Sequence, residues 1–489
     1  NKHKKAIVVG SGIAGIAASI RLAVKGYDVL VLEKNAYLGG KMTVVEMEGF
    51  RFDAGPSLFT MPQFVEELFQ LANKPIESYF SYEENDVACH YFFEDGTFLP
   101  FPTDEKKLGE EVESRLGVSS QPLLKHLKHS KFIYDKTHKT FLEMSLHKWK
   151  NYLSLDILKS IAAIPKLGLM STMHQQNERA LNHPKLVQIF DRFATYNGSS
   201  PYIAPGILNV IPHLEHGFGT YFPEKGMHDI PSSLIRLAED LGVRFETNQA
   251  VQEIKTLNGK VEGVKTESAY FEAETVVCNS DIKPAYRHLL PELKIPKKVE
   301  AQEPSSSAMI FYWGIKKEFP QLDLHNIFFS ENYKKEFDRI FKENSVDEDP
   351  TVYVHISSKK VKSDAPEGME NWFVMVNVPH NSGQDWDTLR KDIRANVLSK
   401  LSRILKEPIE ELIACEDYLD PSRIEERTSS FGDPLYGASS NERMAAFFRH
   451  PNFSKVDGLY FVGGSVHPGG GIPLCLLSAK IAAGLIPEA

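Results

Sequence analysis

Residues 5–33 read KAIVVGSGIAGIAASIRLAVKGYDVLVLE, and this stretch decides the fold. Its unbroken apolar runs predict buried strands over residues 5–10 and 28–33. Residues 13–25, between them, have the apolar spacing of a helix, which Gly26 ends. The apolar positions on one face of that helix are Ile16, Ile20 and Val24. A strand, a helix and a second strand in this order are typical of the first unit of a parallel α/β sheet.

The turn between the first strand and the helix is a GxGxxG motif. Gly10 allows the tight turn, Gly12 lets a pyrophosphate approach the helix start, and Gly15 lets helix and strand pack closely. Glu33 ends the second strand about 20 residues later, where the dinucleotide fingerprint needs an acid to accept the ribose hydroxyls. The motif therefore predicts a bound dinucleotide. An acid at position 33 argues against NADP, whose 2′-phosphate it would repel, and leaves FAD and NAD open.

The composition limits the class of protein. At 489 residues the chain exceeds what one hydrophobic core usually organises, so we expect two domains or a discontinuous arrangement. It has 42% hydrophobic and 25% charged residues, and its net charge of −9 argues against nucleic acid as the main partner. The cysteines form no CxxC pair, so we expect no metal site and reduced thiols in the core of a cytoplasmic protein. They are Cys89, Cys278, Cys415 and Cys475.

Later segments predict further parts of the nucleotide-binding unit. Residues 229–242 have helical apolar spacing, with Asp229 placed to cap the helix and Gly242 to end it. The pair Asn258-Gly259 predicts a hairpin turn between two alternating strands. The remaining predicted elements are a buried strand in residues 271–280, a last strand in residues 458–464 and a helix that begins at Ile472-Pro473.

Two segments near the first motif resemble the flavoprotein group that includes amine oxidases and carotenoid desaturases. They are EKNAYLGGKM, residues 33–42, and GFRFDAGPSLFTMP, residues 49–62. The resemblance implies FAD as the cofactor, with Gly55 and Pro56 bringing backbone up to the isoalloxazine ring. Lys41 stands where the group usually has an arginine near the pyrophosphate, and lysine keeps the charge but loses the bidentate fork. The resemblance also implies that Val251 contacts the adenine through its backbone.

The C-terminal segment narrows the resemblance. Residues 447–486, FFRHPNFSKVDGLYFVGGSVHPGGGIPLCLLSAKIAAGLI, are similar to bacterial FAD-dependent carotenoid desaturases of the phytoene desaturase type. Residues 210–234, VIPHLEHGFGTYFPEKGMHDIPSSL, are similar to their central segment, although Glu224-Lys225-Gly226 departs from the usual double glycine. Within that family the chain looks most like the 1-hydroxycarotenoid 3,4-desaturases.

The resemblance implies a set of FAD-binding residues. The amide groups at the start of the C-terminal helix would face the flavin N1 and C2 carbonyl and stabilise the reduced ring. The residues we expect to bind FAD are Gly10, Gly12, Ile13, Ala14, Gly15, Glu33, Lys34, Gly40, Lys41, Met42, Gly55, Pro56, Ser57, Val251, Gly464, Ser465, Gly471 and Ile472.

The implied fold is a Rossmann-like α/β FAD-binding domain of the amine oxidase and glutathione reductase type. It carries an inserted α+β substrate domain of mixed sheet and helices. The FAD domain is expected in residues 1–74, 221–289 and 451–489, and the substrate domain in residues 75–220 and 290–450. The substrate ranges are dense in aromatic and methionine side chains, which can line a long apolar tunnel.

The implied reaction removes two hydrogens from adjacent carbons of a carotenoid such as 1′-hydroxy-γ-carotene. A hydride leaves to flavin N5 and a proton leaves to a base. Candidates for the base in the matched segments are His213, Glu215, His216 and His467. No second strand-linked GxGxxG is available for NADPH, so we expect oxygen or a quinone as the electron acceptor. Phytoene or dehydrosqualene desaturation, carotenoid isomerisation, amine oxidation and a flavin-free prenyl-binding escort remain open as alternatives.

A water-insoluble substrate requires an entrance at a membrane. No uncharged apolar stretch is long enough to span one. Residues 121–166 carry nine lysines against three acids, a net +6 in a chain of −9, interleaved with apolar and aromatic residues. Such basic amphipathic segments lie on anionic membranes. We therefore expect a membrane-contacting segment near residues 121–173 on the cytoplasmic face of the membrane, and a solvated basic face is the alternative.

Overall fold

A computed structural model describes residues 4–138, 167–428 and 449–489 of the chain. Its first sheet has five parallel strands, of which the central ones are short apolar runs buried on both faces. In spatial order the strands are Leu459–Phe461, Thr275–Cys278, Lys5–Val9, Asp28–Leu32 and Arg244–Glu246. The predicted strands near both ends of the chain and in residues 271–280 are confirmed, and they are hydrogen-bonded into one sheet.

Different layers cover the two faces of this sheet, because alternate residues of each strand point to opposite sides. On one face, Val8 and Val31 pack against helices, whereas on the other Ile7 and Leu30 pack against a small antiparallel sheet. The helices are Ile13–Val24, Asp229–Asp240 and Ile472–Leu485. The strands of the small sheet are Val251–Leu257, Lys260–Thr266 and Tyr270–Glu272. The hairpin predicted at Asn258-Gly259 and the helix predicted from Ile472 are confirmed.

Two details of the predicted helices were wrong. Val24 is 41% exposed, because residues spaced four apart drift by about 40° per step around a helix and leave the buried stripe that holds Ile16 and Ile20. Asp229 does not cap its helix: it is the first helical residue, His228 precedes it, and no side chain caps that end. In the first turn, the Asp229 carboxylate still lies near the positive end of the helix dipole.

The second large sheet has seven strands and is mostly antiparallel. In spatial order they are Ile413–Leu419, Ser307–Ile315, Glu370–Val378, Val352–His355, His325–Phe328, Val87–Phe92 and Phe98–Pro102. The helix Trp386–Leu405 covers one face, over a core that holds the fully buried Trp313 and Trp372. The opposite face carries a helical segment at one end and the hairpin Val44–Met47/Phe50–Asp53 at the other.

Among the residues that the structure describes, the other helices of eight residues or more are Gln63–Leu71, Glu105–Leu116, Gln121–Thr137, Met173–Ala180, Pro184–Asp191, Tyr333–Lys342 and Pro421–Thr428. A shorter helix, Ile211–His216, belongs to the helical segment on the second sheet. In the described ranges, no helix has the length and apolar character needed to cross a bilayer. Residues 139–166, which hold most of the predicted membrane-contacting segment, lie outside the described residues.

The four cysteines are free thiols, and three of them are buried while Cys475 is partly buried. Burial raises the pKa of Cys89, Cys278 and Cys475 to about 12, so these thiols stay protonated at neutral pH. This agrees with the expectation of reduced core residues.

Candidate active site

The glycine motif packs the first helix tightly against the strand that precedes it. A Cβ on Gly15 would lie 2.1 Å from the carbonyl oxygen of Gly10, so only glycine fits there. Gly10 has a φ of +94°, which glycine adopts without strain. Gly12 precedes the helix and has no side chain of its own to cap that end. The first-turn amides of Ile13 and Ala14 are therefore available to a ligand, and Gly12, Ile13 and Ala14 line the cavity described below.

Three hydrogen bonds hold the Glu33 carboxylate in place. The Ser11 amide and hydroxyl both donate to Oε2, at 2.9 and 2.6 Å, and the Asn35 amide donates to Oε1 at 2.9 Å. A carboxylate offers about four lone-pair positions, so about one remains on Oε1 for a ribose hydroxyl. Glu33 is 5% exposed and lines the cavity.

Asn279 completes this corner of the site, and the sequence analysis missed it. It follows the strand Thr275–Cys278, and with its amide oxygen turned to the loop it accepts from the Gly12 and Gly15 amides at 3.2 and 3.3 Å. The available signal was a polar residue directly after a buried parallel strand. Such residues gather at the carboxyl edge of a sheet, where ligands bind.

A second loop packs its backbone against the glycine motif, and a third packs its backbone against the second. A Cβ on Gly40 would lie 3.0 Å from the Gly12 Cα, and one on Gly55 would lie 2.0 Å from the Lys41 carbonyl oxygen. Gly39 and Gly12 also form an isolated parallel bridge. Any side chain at position 55 would push these segments apart, so the site is assembled around close backbone contacts.

The loops line one end of a single cavity of about 780 Å³. This volume lies within the range of about 300–1,000 Å³ that is usual for ligand sites. The expected FAD-binding residues that line it are Gly10, Gly12, Ile13, Ala14, Glu33, Lys34, Gly40, Lys41, Met42, Gly55, Pro56, Ser57, Val251, Gly464, Gly471 and Ile472. Gly15 and Ser465 do not line it: Gly15 is buried beneath the loop, and the Ser465 hydroxyl accepts from the Ile282 amide at 2.9 Å.

Apolar side chains line the rest of the cavity, between the seven-stranded sheet and the helical segment. On the helical side they are Ile207, Leu208, Val210, Ile211 and Leu214, and on the sheet side Ile310, Ile327, Phe373, Met375 and Leu419. The cavity also reaches Thr137, at the end of the helix Gln121–Thr137. It can therefore hold a long apolar molecule that reaches the nucleotide loops.

Of the four candidate bases, only Glu215 lines the cavity. His213 packs against Tyr134 and Phe218, and His216 is enclosed by aromatic rings. Burial lowers the pKa of both histidines, which keeps their rings neutral. His467 is fully buried, and its backbone carbonyl accepts from Asn452.

Glu215 belongs to a buried polar cluster in the cavity wall. The Tyr196 hydroxyl donates to its Oε2 at 2.5 Å, and Arg192 Nη2 lies 3.7 Å from its Oε1. Arg192 also donates to the hydroxyls of Tyr196 and Tyr91, at 3.0 and 2.8 Å. Burial opposes the charge of Arg192, but Tyr196, Tyr91 and Glu215 outweigh it and raise the pKa of the guanidinium well above its ordinary value. The cluster thus keeps a cation beside the carboxylate.

A second polar group links the nucleotide loops to the seven-stranded sheet. The Tyr353 hydroxyl lies 2.7 Å from both the Ser57 hydroxyl and His325 Nδ1. All three side chains line the cavity. The sequence analysis included Ser57 and missed the other two.

Arg449 was also missed, and it lies at the C-terminal glycine-rich loop. Its side chain is buried, lines the cavity and donates from Nη1 to the Gly464 carbonyl at 3.0 Å. Burial lowers the pKa of its guanidinium to about 10, so it remains a cation at neutral pH. A positive charge therefore stands at the loop that we expect near the flavin N1.

These residues fit FAD. A glycine loop whose helix start keeps the Ile13 and Ala14 amides for a ligand suits a pyrophosphate, and Glu33 has one free position for a ribose hydroxyl. The helix Ile472–Leu485 points its own uncapped start into the same cavity, beside Arg449. Within the described ranges, no three His, Cys, Asp or Glu side chains are grouped to hold a metal ion.

Comparison with curated proteins shows relatives along the whole chain. The chain is 54% identical over 486 residues to a 1-hydroxycarotenoid 3,4-desaturase of Flavobacterium sp. (strain P99-3), covering 99% of both. It is 31% identical to a 4,4'-diapolycopene oxygenase of Methylomonas sp, covering 98% of this chain and 97% of that protein. It is 32% identical to a 4,4'-diaponeurosporene oxygenase of Staphylococcus haemolyticus (strain JCSC1435), covering 98% and 96%.

Solved structures share the fold at lower identity. A putrescine oxidase bound to putrescine has 14% identity and a TM-score of 0.64, covering 99% of this chain and 98% of that one. Cyclohexylamine oxidase from Brevibacterium oxydans IH-35A gives the same identity, TM-score and coverage. The sequence profile of flavin-containing amine oxidoreductases matches residues 13–487. The chain therefore belongs to this family of flavin-containing oxidoreductases, and its cofactor is FAD.

Proposed function

We propose that the protein is an FAD-dependent carotenoid desaturase that introduces the 3,4 double bond into a 1-hydroxycarotenoid such as 1′-hydroxy-γ-carotene. The observation that carries this proposal is the 54% identity to the Flavobacterium enzyme of that name, which extends over 99% of both chains. The cavity supports it, because one continuous space joins the nucleotide loops to an apolar chamber.

FAD would be held mainly by the two chain ends. In our proposal the FAD-binding domain comprises residues 1–74, 221–289 and 451–489. The five strands of the parallel sheet all fall within these ranges. The seven strands of the second sheet fall within residues 75–220 and 290–450, the proposed substrate domain. When bound, FAD supplies an acceptor for a hydride from the substrate. The helix start at Ile472 and the Arg449 cation both favour negative charge at that end of the cavity.

Glu215 accepts the proton in this proposal. Desaturation removes a hydride from one carbon and a proton from its neighbour, so a base must face the substrate. Glu215 is the candidate base that lines the cavity, and the hydrogen bond from Tyr196 fixes its carboxylate. The apolar walls align the polyene and exclude water, and the conjugated substrate spreads the positive charge that develops.

The substrate enters from a membrane in this proposal. The chamber reaches Thr137, which lies within the basic segment of residues 121–166, and Met170, four residues after that segment, is 80% exposed. On the helix Gln121–Thr137, three lysines are exposed; they are Lys125, Lys128 and Lys131. A basic surface beside exposed apolar side chains suits the anionic inner face of a cytoplasmic membrane. Oxygen or a quinone then reoxidises the enzyme.

A second candidate function is oxygenation of a carotenoid end. The relatives at 31% and 32% identity, which also match nearly the whole chain, are oxygenases of 4,4'-diapocarotenoids. The two functions differ in their product, because desaturation removes two hydrogens whereas oxygenation adds oxygen.

The test is an incubation of purified, FAD-loaded protein with carotenoids in anionic liposomes. We expect the hydroxylated carotenoid to lose two hydrogens by mass spectrometry and to gain one conjugated double bond in its absorption spectrum. Unchanged hydroxylated carotenoid, together with an oxygen-containing product from 4,4'-diaponeurosporene, would support the oxygenase instead. Protein unfolded and refolded without FAD is the control and should form neither product.

A further inference from the structure

Tyr353 stands at the centre of a short hydrogen-bonded chain in the cavity wall. Its hydroxyl lies 2.7 Å from the Ser57 hydroxyl on one side and 2.7 Å from His325 Nδ1 on the other. Ser57 comes directly after Gly55-Pro56, the turn that we expect beside the flavin ring. The chain of three side chains therefore joins the nucleotide loops to the sheet that forms the chamber.

The backbone fixes the position of these three groups. Tyr353 lies in the strand Val352–His355, which pairs with His325–Phe328 in the register His325↔His355. Both strands are inner strands of the seven-stranded sheet, so neither can slide without breaking ladders on two sides. A Tyr353 hydroxyl held in this way is a preorganised group rather than a flexible one.

Ser57, Tyr353 and His325 do not use all of their hydrogen-bonding groups on one another. His325 is 4% exposed, and its Nε2 is buried without a hydrogen bond. Burial, followed by the neighbouring His355, lowers the pKa of His325 well below its ordinary value. The ring is therefore neutral, with one nitrogen as donor and the other as acceptor. The Tyr353 oxygen can also take a third hydrogen bond beyond those to Ser57 and His325.

Most of the cavity wall around this polar group is apolar. The side chains that surround it on the same sheet and line the cavity are Ile310, Ile327, Phe373 and Met375, and Asn377 is a polar residue two positions beyond Met375. A hydrocarbon substrate would leave the hydroxyls of Ser57 and Tyr353 without any new partner. A substrate with one hydroxyl would supply that partner and lose none of the apolar contacts.

We propose that Ser57, Tyr353 and His325 form the receptor for the substrate's tertiary hydroxyl group. The inference rests on the proposed 3,4-desaturation of a 1-hydroxycarotenoid. In that substrate the C1 oxygen is three bonds from C3, so the group that binds it must lie beside the bond that is oxidised. Ser57 meets this requirement, because it adjoins the turn expected at the flavin ring. The receptor thus sets which bond is presented for oxidation.

The experiment compares Tyr353→Phe with the wild-type holoenzyme on two substrates, the 1-hydroxycarotenoid and the same carotenoid without its hydroxyl. We expect kcat/KM for the hydroxylated substrate to fall roughly tenfold to hundredfold, because one buried hydrogen bond is lost. The value for the unhydroxylated substrate should change by less than about threefold, since the two side chains have the same shape. Ser57→Ala should shift the same ratio in the same direction.

Tyr286→Phe is the matched control. The Tyr286 hydroxyl is also hydrogen-bonded to a histidine, His450 Nε2 at 3.0 Å, but it does not line the cavity. This variant should leave the preference between the two substrates unchanged. The FAD absorbance and melting temperature of each variant show whether it folds, and if Tyr353→Phe does not fold, Ser57→Ala decides.

Binding is measured separately from turnover, by titrating each carotenoid against the flavin absorbance of the oxidised enzyme. Weaker binding of the hydroxylated carotenoid alone in Tyr353→Phe supports the receptor. If Tyr353→Phe weakens the binding of both carotenoids equally, or of neither, the proposed receptor is rejected. A wild-type enzyme that binds both equally well also overturns the receptor while leaving desaturation intact. A wild-type enzyme that prefers the hydroxylated carotenoid in binding but forms no 3,4-desaturated product supports the receptor and rejects the proposed reaction.

Discussion

The Gly15 Cα and the Gly10 carbonyl oxygen are so close that a single added carbon would lie 2.1 Å from that oxygen. Gly15→Ala should therefore lower the free energy of unfolding by about 1–3 kcal/mol, as overpacking of a tight contact does, and weaken FAD binding. Urea unfolding and the FAD dissociation constant measure the two effects. Gly484→Ala, in a helix position with no neighbour within 4 Å, is the control and should cause neither. A Gly15→Ala protein of normal stability and FAD affinity would contradict the close packing.

Asn279 should matter for FAD binding although it carries no charge. Its side-chain oxygen accepts hydrogen bonds from the Gly12 and Gly15 backbone amides at 3.2 and 3.3 Å and so fixes the loop. Asn279→Leu removes these bonds, and we expect about a tenfold weaker FAD affinity by fluorescence titration, which corresponds to about 1.4 kcal/mol. The exposed Asn182, which donates to the Ser119 carbonyl, provides the control variant Asn182→Leu. Equal affinities for the two variants would show that the loop does not need Asn279.

Glu215→Gln tests the proton acceptor. The amide keeps the shape of the side chain but cannot accept a proton, so reduction of the flavin by carotenoid should slow by about 10²–10⁴-fold in anaerobic stopped-flow measurements. Flavin content and carotenoid binding should stay close to wild type. Glu224→Gln, at an exposed carboxylate bonded to Ser81, is the matched control. A flavin reduced at the wild-type rate in Glu215→Gln would assign the proton to another group.

The pair His174 and Asp191 should make stability depend on pH. His174 Nδ1 lies 2.6 Å from Asp191 Oδ2, and this hydrogen bond raises the pKa of His174 above its ordinary 6.5. Protonated His174 therefore favours the folded state: its contribution is complete below about pH 6.5 and is lost as pH rises through the folded pKa. The free energy of unfolding should fall over that interval, by urea titration at fixed salt. Other charges near His174 are Glu178, which raises its pKa, and Lys334, which lowers it.

His174→Gln is the comparison for this effect. The variant keeps a hydrogen-bonding side chain and lacks the titrating ring, so its stability should vary less between pH 6.5 and 8.5. The same slope in both proteins would assign the pH dependence to other groups.

The basic segment can be tested at positions chosen from the sequence. Ile157, Leu158 and Ile161 are apolar residues among its lysines, and replacing all three with Ser should reduce co-sedimentation with anionic liposomes. The control is Leu257→Ser, an exposed apolar residue in the hairpin of the small sheet. Unchanged sedimentation of the triple variant would favour a solvated basic surface. High salt should weaken the binding of the wild type.

The nucleotide-binding loop of residues 10–15 could be predicted from the sequence because its backbone conformation depends on residues that are close together in the chain. Positive φ and close backbone approach need glycine, and Gly10 and Gly15 lie in one short motif between two apolar runs. Tyr353 and His325 could not be predicted, because they reach Ser57 only through strand pairing and packing across 296 residues of chain. The base candidates show a third case. His213, Glu215 and His216 lie in one short helix, and about 100° of rotation per residue decides which of them faces the cavity.

The hairpin Val44–Met47/Phe50–Asp53 connects the nucleotide loops to the seven-stranded sheet. Gly40 before it and Gly55 after it are packed into the nucleotide corner, while Phe50 and Phe52 between them lie against the seven-stranded sheet. Flavin binding that fixes the position of these loops would also fix one wall of the chamber. We therefore expect a protein that has lost its flavin to bind the carotenoid more weakly as well.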